Sequence, residues 1–459
     1  MFEHINSEQI LKTLLKKGGD YADIFFEHNQ QTSITCEDKK MESIVSGINR
    51  GAGLRLISNL HTAYGATNKF DSLSNLGESL AGTLQAKDFS GDIHLSTINP
   101  KLSFPVLQTP ALIPTNQKVA MLENLNKQAW AMDKKIVQVR IRYGDGLRHT
   151  EIATSEGHYA VSPRTLLVLS ITITMSDGDH FFTGYESTGG HGGFELLTEQ
   201  ALNQTLQKAV FRAQLNLKAK RAKAGTMPVV ISSQAGGTLV HEAVGHGLEA
   251  DLACQGMSVY GDKKGQVVAS PKITVVDDPT LPQKRGSYLF DDEGVPSQKA
   301  VLIENGVLKN YMFDRLTAMK MDCASNGHGR RESFEYRPVV RMANTLILPG
   351  QDNPDEIIAS VNDGLFVKMM GGGQVNTING DFMFEVTEGY RIENGKIGEP
   401  VRGATLTGNG PEVLKIIDKV GNDLGFSIGT CGKDGQNAPV SDAMPTIRIP
   451  EMVVGGVVE

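Results

Sequence analysis

Cysteine is scarce in this 459-residue chain: four residues, at positions 36, 254, 323 and 431. So few exclude the small secreted scaffolds that disulfides hold together. Positive charge is not in excess either. Lysine plus arginine number 45 against 52 aspartates and glutamates, a formal net charge of −7 with a pI near 5.9. Gripping nucleic acid through its phosphates calls for a basic face, so no direct nucleic-acid binding is expected. No apolar run approaches the roughly 18 residues of a membrane span, and no membrane association is expected. The opening MFEHINSEQILKTLLKKGG has no apolar core followed by a small-residue cleavage site, so no secretory leader is read. There is no low-complexity segment and no repeat of solenoid period. What remains is a cytoplasmic globular protein whose 40% hydrophobic content suffices for a large core.

Glycine is abundant, with 50 residues, and 31 of them follow residue 225. The chain divides there on other grounds as well. Leu202, Leu206, Val210 and Leu215 space a helix over about 198–218. It ends in the basic stretch Lys218-Ala-Lys-Arg-Ala-Lys-Ala-Gly225, an ordinary helix stop, and strand-like Pro228-Val-Val-Ile-Ser follows. Residues 1–225 are therefore read as an N-terminal α/β domain and 226–459 as a β-rich C-terminal domain.

In the first, Ile10–Leu15 and Leu73–Leu84 carry helical spacing. Ala22–Glu27, Ser33–Cys36, Gly53–Ser58, Ala63–Ala66 and Leu166–Thr174 read as strands. In the second, helices are expected only around 238–250, 313–321 and 411–420. Asn305-Gly306 and Asn394-Gly395, each between apolar flanks, are hairpin turns because Asn-Gly supplies two positive φ angles.

The sharpest local feature is Gly236-Gly-Thr-Leu-Val-His-Glu-Ala-Val-Gly-His-Gly-Leu-Glu-Ala-Asp251. Two histidines bracket a glutamate, as in zinc hydrolases, but at i and i+5 instead of i and i+4. On a regular helix that spacing turns the two side chains roughly 140° apart, too far to share one metal. A π-bulge, with its i→i+5 bonding, would bring them to within roughly 50°. Gly245, just before His246, tolerates such a distortion, so the sequence predicts a kinked or bulged helix through 241–246. The bland alternative is two hydrogen-bonded histidines without a metal. A third ligand could come from Glu249, Asp251, Cys254, Cys323, His328 or Cys431. Cys431 sits between glycines that let backbone approach a metal, whereas Cys254 and Cys323 read as ordinary small residues.

Several blocks together resemble one family. His241-Glu-Ala-Val-Gly-His-Gly-Leu-Glu249, Asp291-Asp-Glu-Gly-Val-Pro296, Gly329-Arg-Arg331, Arg341-Met-Ala-Asn344, Gly403-Ala-Thr-Leu-Thr-Gly-Asn-Gly-Pro411 and Gly429-Thr-Cys-Gly-Lys-Asp-Gly-Gln436 are similar to the TldD/PmbA metallopeptidases. The histidine segment places the chain with the TldD-like branch, which carries HExxxH. Asp20-Tyr-Ala-Asp-Ile-Phe-Phe extends a looser resemblance to the N-terminal part. Ala343 departs from the threonine more usual there.

The resemblance implies zinc as cofactor, with His241, His246 and Cys431 as ligands and Glu242 as the catalytic glutamate. It implies an α+β fold: a mixed α/β N-terminal domain, then a C-terminal domain on a curved, mostly antiparallel sheet that carries the metal-site helix. It further implies a PmbA-like partner subunit or self-association, and a chamber admitting short or unfolded peptides such as precursor leader segments. Arg330 and Arg331, with His328 nearby, could hold a substrate carboxylate or an oxyanion; a solvated or salt-bridged face is the plainer reading. The glycines at 371–373 and 408–410 lack the Gly-Lys-Ser/Thr of a phosphate loop and mark turns or strand edges. A non-catalytic regulatory or chaperone-like subunit with structural histidines is the competing reading.

Overall fold

A computed structural model describes residues 2, 4–83 and 91–457. Helix α1 (Ser7–Leu15) begins where the Asn6 side chain accepts the Gln9 amide at 3.0 Å, and it buries Ile10, Leu11, Leu14 and Leu15. That spacing keeps all four on one helical face. Strands β1 (Tyr21–Glu37), β2 (Lys40–Ser58) and β3 (His61–Thr67) follow as an antiparallel meander. Then come α2 (Leu73–Ala81), β4 (Ser96–Ile98), α3 (Thr115–Met132), β5 (Ile136–Thr154), β6 (His158–Ser176), β7 (Phe181–His191) and α4 (Glu199–Lys218). The sheet runs β3-β2-β1-β5-β6, with β4 and β7 both pairing to β6.

The strands expected at 22–27 and 33–36 are one 17-residue strand. The polar residues between them line an open face of the sheet and so hide the alternation. The helix expected over 73–84 ends at Ala81, and Leu84 lies outside the described residues. Helices α1 and α2 cover Ile24, Phe26, Leu54 and Leu56; α3 and α4 cover Ile34, Ile141, Leu169 and Ile171. On the other face, Phe25 and Ile152 pack against Phe334 from the second half of the chain.

The second half begins with β8 (Lys220–Arg221), β9 (Gly225–Ile231), β10 (Val275–Asp277), β11 (Ala300–Glu304), β12 (Val307–Leu308), β13 (Gly329–Arg330), β14 (Val339–Val340) and β15 (Asn344–Ile347). It continues with β16 (Asp363–Val375), β17 (Asp381–Glu393), β18 (Lys396–Arg402), β19 (Thr405–Asn409), β20 (Lys419–Val420), β21 (Gly425–Lys433), β22 (Gln436–Met444) and β23 (Ile447–Gly455). Most strands form two sheets, one built around β9, β16, β17, β19 and β23, the other ordered β12-β11-β10-β15-β22-β21.

In this half pairing is antiparallel except for β9–β16, β8–β18 and β15–β22, and in the first sheet β4 pairs parallel to β6. Both Asn-Gly turns form as expected, with φ of 49° and 82° at Asn305 and Gly306 and of 50° and 73° at Asn394 and Gly395. A large apolar core between the sheets, from Val229 and Leu239 to Ile449, holds the histidine segment. Strand β21 is the last strand of its sheet, so its outer edge is free of strand partners among the described residues. The chain is thus of the α+β class.

Candidate metal centre

The histidine segment is not a regular helix. One turn of α-helix over Thr238–Val240 gives way to a π-turn over His241–Gly245, then to a 3-10 turn over His246–Leu248. The His246 amide donates to the His241 carbonyl, the i→i+5 bond that defines a π-turn. Two features accommodate the widening. A Cβ on Gly245 would stand 2.0 Å from Met342 Sδ, so only glycine fits under that side chain. The Ala243 carbonyl accepts the Tyr260 hydroxyl at 3.0 Å. The two imidazoles end 5.0 Å apart between centroids and perpendicular to each other.

This turn brings His241, His246 and Cys431 together, with one ligand atom from each lying within 4.8 Å of the others. Cys431 reaches them from edge strand β21, its Sγ 3.5 Å from His246 Nε2. Each histidine is held by a carboxylate on its other nitrogen: His241 Nδ1 by Asp442 Oδ1 at 2.7 Å, and His246 Nδ1 by Glu249 Oε2 at 2.9 Å. This fixes the tautomers and leaves both Nε2 atoms for the centre. Glu249 is fully buried, and Lys433 Nζ sits 3.1 Å from the same oxygen. Glu242 reaches back over the cluster, 4.0 Å from His246 Nε2.

The electrostatics are those of a thiolate held by imidazole protons that an incoming metal would displace. Burial raises the Cys431 thiol, but hydrogen bonds from His241 and His246, and their charge, bring it down to about 5. Burial likewise pulls His246 down, while the charge of Glu249 and the hydrogen bonds that the imidazole donates to Cys431 and Glu249 lift it to about 9. Burial raises the carboxyl of Glu242, partly against the pull of both histidines. A ready thiolate and two oriented imidazoles are the donors zinc selects, and a separation near 3.5 Å matches ligands that each stand roughly 2.0–2.3 Å from one ion. The residues present fit the metal.

Other residues singled out from sequence lie elsewhere. Glu249 and Asp251 stand outside the three-residue cluster and grip Lys433, while Cys254 and Cys323 are exposed on the surface. His328 is wholly buried, with Nδ1 on Asn326 Oδ1 and Nε2 on Asp277 Oδ1, so neither nitrogen is free for an oxyanion.

Arg330 and Arg331 are 2% and 3% exposed. Arg330 donates to the Met342 and Pro439 carbonyls, and Arg331 to the Asp292 carbonyl and the Tyr64 hydroxyl. They form a buried scaffold that joins the two halves of the chain, with Arg331 also at the wall of a groove between them. Asp442 and Lys433 escape a sequence reading, because their partners lie about 200 residues away and no local spacing announces them.

Comparison with known proteins agrees with this architecture. Residues 224–456, 108–217 and 22–86 match the C-terminal domain, central domain and domain 1 of the PmbA/TldA metallopeptidases. The metalloprotease TldD homolog of Haemophilus influenzae is 37% identical over 95% of this chain and 93% of its own. The zinc metalloprotease TldD homolog of Saccharolobus solfataricus is 29% identical over the full length of both. The crystal structure of TldE from Thermococcus kodakarensis superposes with a TM-score of 0.74 at 18% identity, covering 98% of this chain and 99% of that one. With a three-part family match along most of its length and close relatives that span it, the chain belongs to the PmbA/TldD family of metallopeptidases.

Proposed function

We propose that the chain is a zinc-dependent peptidase of the HExxxH…Cys type that cleaves short or unstructured polypeptides. The observation that carries this reading is the convergence of His241, His246 and Cys431 beneath the carboxylate of Glu242. Bound by these three residues, zinc would supply a Lewis acid for the scissile carbonyl and lower the pKa of water. Asp442 and Glu249 hold the imidazoles in one orientation. Glu242 takes the proton of the attacking water at its carboxylate and passes it to the leaving amine. Its burial raises its proton affinity towards the range in which it can do both.

The free edge of β21, which carries Cys431, supports an extended peptide as substrate, since such an edge can pair with an added strand. Precursor leader segments are substrates of this kind. We place the enzyme in the cytoplasm, paired with a PmbA-like partner or with itself around an enclosed chamber. Ile44 and Ile48, exposed on one side of β2, offer apolar side chains for pairing. No described helix is long and apolar enough to cross a membrane.

The test is a pair of variants assayed for zinc by elemental analysis and for cleavage of an unstructured peptide. Glu242→Gln keeps zinc and loses hydrolysis, and Cys431→Ser loses most of the zinc. Full hydrolysis by Glu242→Gln would reject Glu242 as the base, whereas a native protein that holds no zinc and cleaves no peptide would favour a regulatory subunit with structural histidines.

A further inference from the structure

Two arginines that line one groove make no direct contact with a carboxylate among the described residues. A groove of about 600 Å³ lies between the polar face of β1, β2, β5 and β6 and the β21–β22 hairpin. Thr430 lines it, and the next residue, Cys431, faces the opposite way into the metal cluster. Groove and centre therefore occupy the two faces of one edge strand.

Arg164 projects into this groove from β6. It is only 8% exposed, and among the described residues its guanidinium makes no hydrogen bond or ion pair. Its neighbour across the β5–β6 pairing, Arg148, is by contrast neutralised by Glu27 at 2.6 Å and Asp292 at 3.3 Å. On the opposite wall Arg285 donates to the Gly429 carbonyl at 3.1 Å and the Thr430 hydroxyl at 3.4 Å, neither of them charged. The carboxylates that line the groove are already engaged: Asp145 by Lys118, and Glu332 by the Asn437 amide, each at 2.6 Å.

Burial, then the charges of Arg148 and Arg330, hold the Arg164 guanidinium down to about 9, against the weaker pull of Asp292, whose carboxylate is bonded to Arg148. Burial and the charge of Arg164 hold nearby His191 at about 4, so that histidine stays neutral and adds no second positive charge. A nearly buried guanidinium without a partner weakens the fold and is rare unless something outside the chain supplies the anion.

We infer that Arg164, with Arg285 at the groove wall, binds a carboxylate of the peptide substrate, so that acidic peptides are the preferred class. The planar guanidinium presents paired donors that match a carboxylate in two-point contact. This assignment rests on the peptidase reading for its ligand, and its test is built on binding without turnover.

The full-length protein, in its hydrolysis-deficient Glu242→Gln form, is titrated by fluorescence anisotropy with two fluorescein-labelled glycine/serine octapeptides with amidated C-termini. One carries two glutamates and the other glutamines in the same places. The glutamate peptide binds at least about tenfold more tightly, Arg164→Gln abolishes that preference, and Arg164→Lys retains part of it. Arg285→Gln reduces it without removing it. Arg164→Gln also raises the Tm, because it removes an uncompensated buried charge.

Equal affinity for the two peptides, a preference that survives Arg164→Gln, or a lowered Tm in that variant would overturn the inference. Displacement of the glutamate peptide by submillimolar inorganic phosphate, but not by acetate, would overturn the carboxylate assignment. The preference, together with a native protein that cleaves neither peptide, upholds this site and rejects the peptidase reading.

Discussion

Lys433 Nζ lies 3.1 Å from Glu249 Oε2, the same oxygen that holds His246 Nδ1 at 2.9 Å. Burial alone would drive a proton onto Glu249, but the charges of Lys433 and then His246 bring its pKa down to about 2. The lysine thus keeps a fully buried carboxylate ionised, and the carboxylate keeps His246 turned towards Cys431. Lys433→Met should lower zinc affinity roughly 10–100-fold, the usual effect of losing a group that orients a metal ligand. Competition against a chelating dye measures it. Lys433→Arg should recover part of the loss, and unchanged affinity in Lys433→Met would remove this role.

The π-turn makes a steric prediction. Gly245→Ala places a methyl 2.0 Å from Met342 Sδ, on a side chain packed in the core. Overpacking of this kind costs about 1–3 kcal/mol, read as a lower urea midpoint. Adding Met342→Ala should relieve the clash, so that the double variant loses less than the two single effects summed. Strict additivity would show that glycine is needed for some other reason.

Arg212 fastens α4 to both halves of the chain. It lies 3.0 Å from Glu388 on β17 and 3.0 Å from Glu186 on β7, and donates to the Tyr185 carbonyl at 2.7 Å. Arg212→Ala strips the chief partner from Glu388, which is 1% exposed. Breaking a buried pair costs about 3–5 kcal/mol. Lys368, 3.1 Å from Glu388, keeps the loss towards the low end. Chemical denaturation measures the change.

Asp314 gives a pH dependence whose sign can be fixed. It caps the helix Arg315–Lys320 by accepting the Thr317 amide at 2.8 Å and the Thr317 hydroxyl at 2.6 Å. Burial, then the charge of Glu293, raise its pKa from 3.8 to about 6. The folded state therefore holds this proton more tightly than the unfolded chain does. Its contribution is fully present below about pH 4 and is lost as the pH rises through about 6. The stability of the native chain minus that of Asp314→Asn should fall by on the order of 3 kcal/mol between pH 4 and pH 7. A difference that stays flat across that range would contradict the raised pKa.

Local features of this protein were readable from sequence, and long-range ones were not. The Asn-Gly turns and the π-turn follow from conformational demands within five residues, so Asn305, Asn394 and Gly245 announce them. Helix α3 and strand β5 were missed. The α3 stretch is polar with few apolar positions, and β5 places Gly144, Gly146 and Arg148 on the open groove face, which breaks the alternation. Cys431 stood out by its glycine flanks, but Asp442 and Lys433 became visible only when β21 and β22 met the histidine turn. The run Arg330-Arg331 looked like a surface cluster because sequence does not show that Asp292, Met342 and Pro439 close over it.

Cys431 lies 185 residues beyond His246, and Asp442 lies 201 beyond His241. The centre therefore cannot assemble while the chain is still being synthesised up to β20. A nascent or truncated polypeptide ending there has two histidines and a glutamate but neither the thiolate nor the aspartate that orients His241. On the peptidase reading, hydrolytic capacity arises only once the last hairpin has folded onto the histidine turn, so an incomplete copy of this enzyme poses no proteolytic hazard to the cell that makes it.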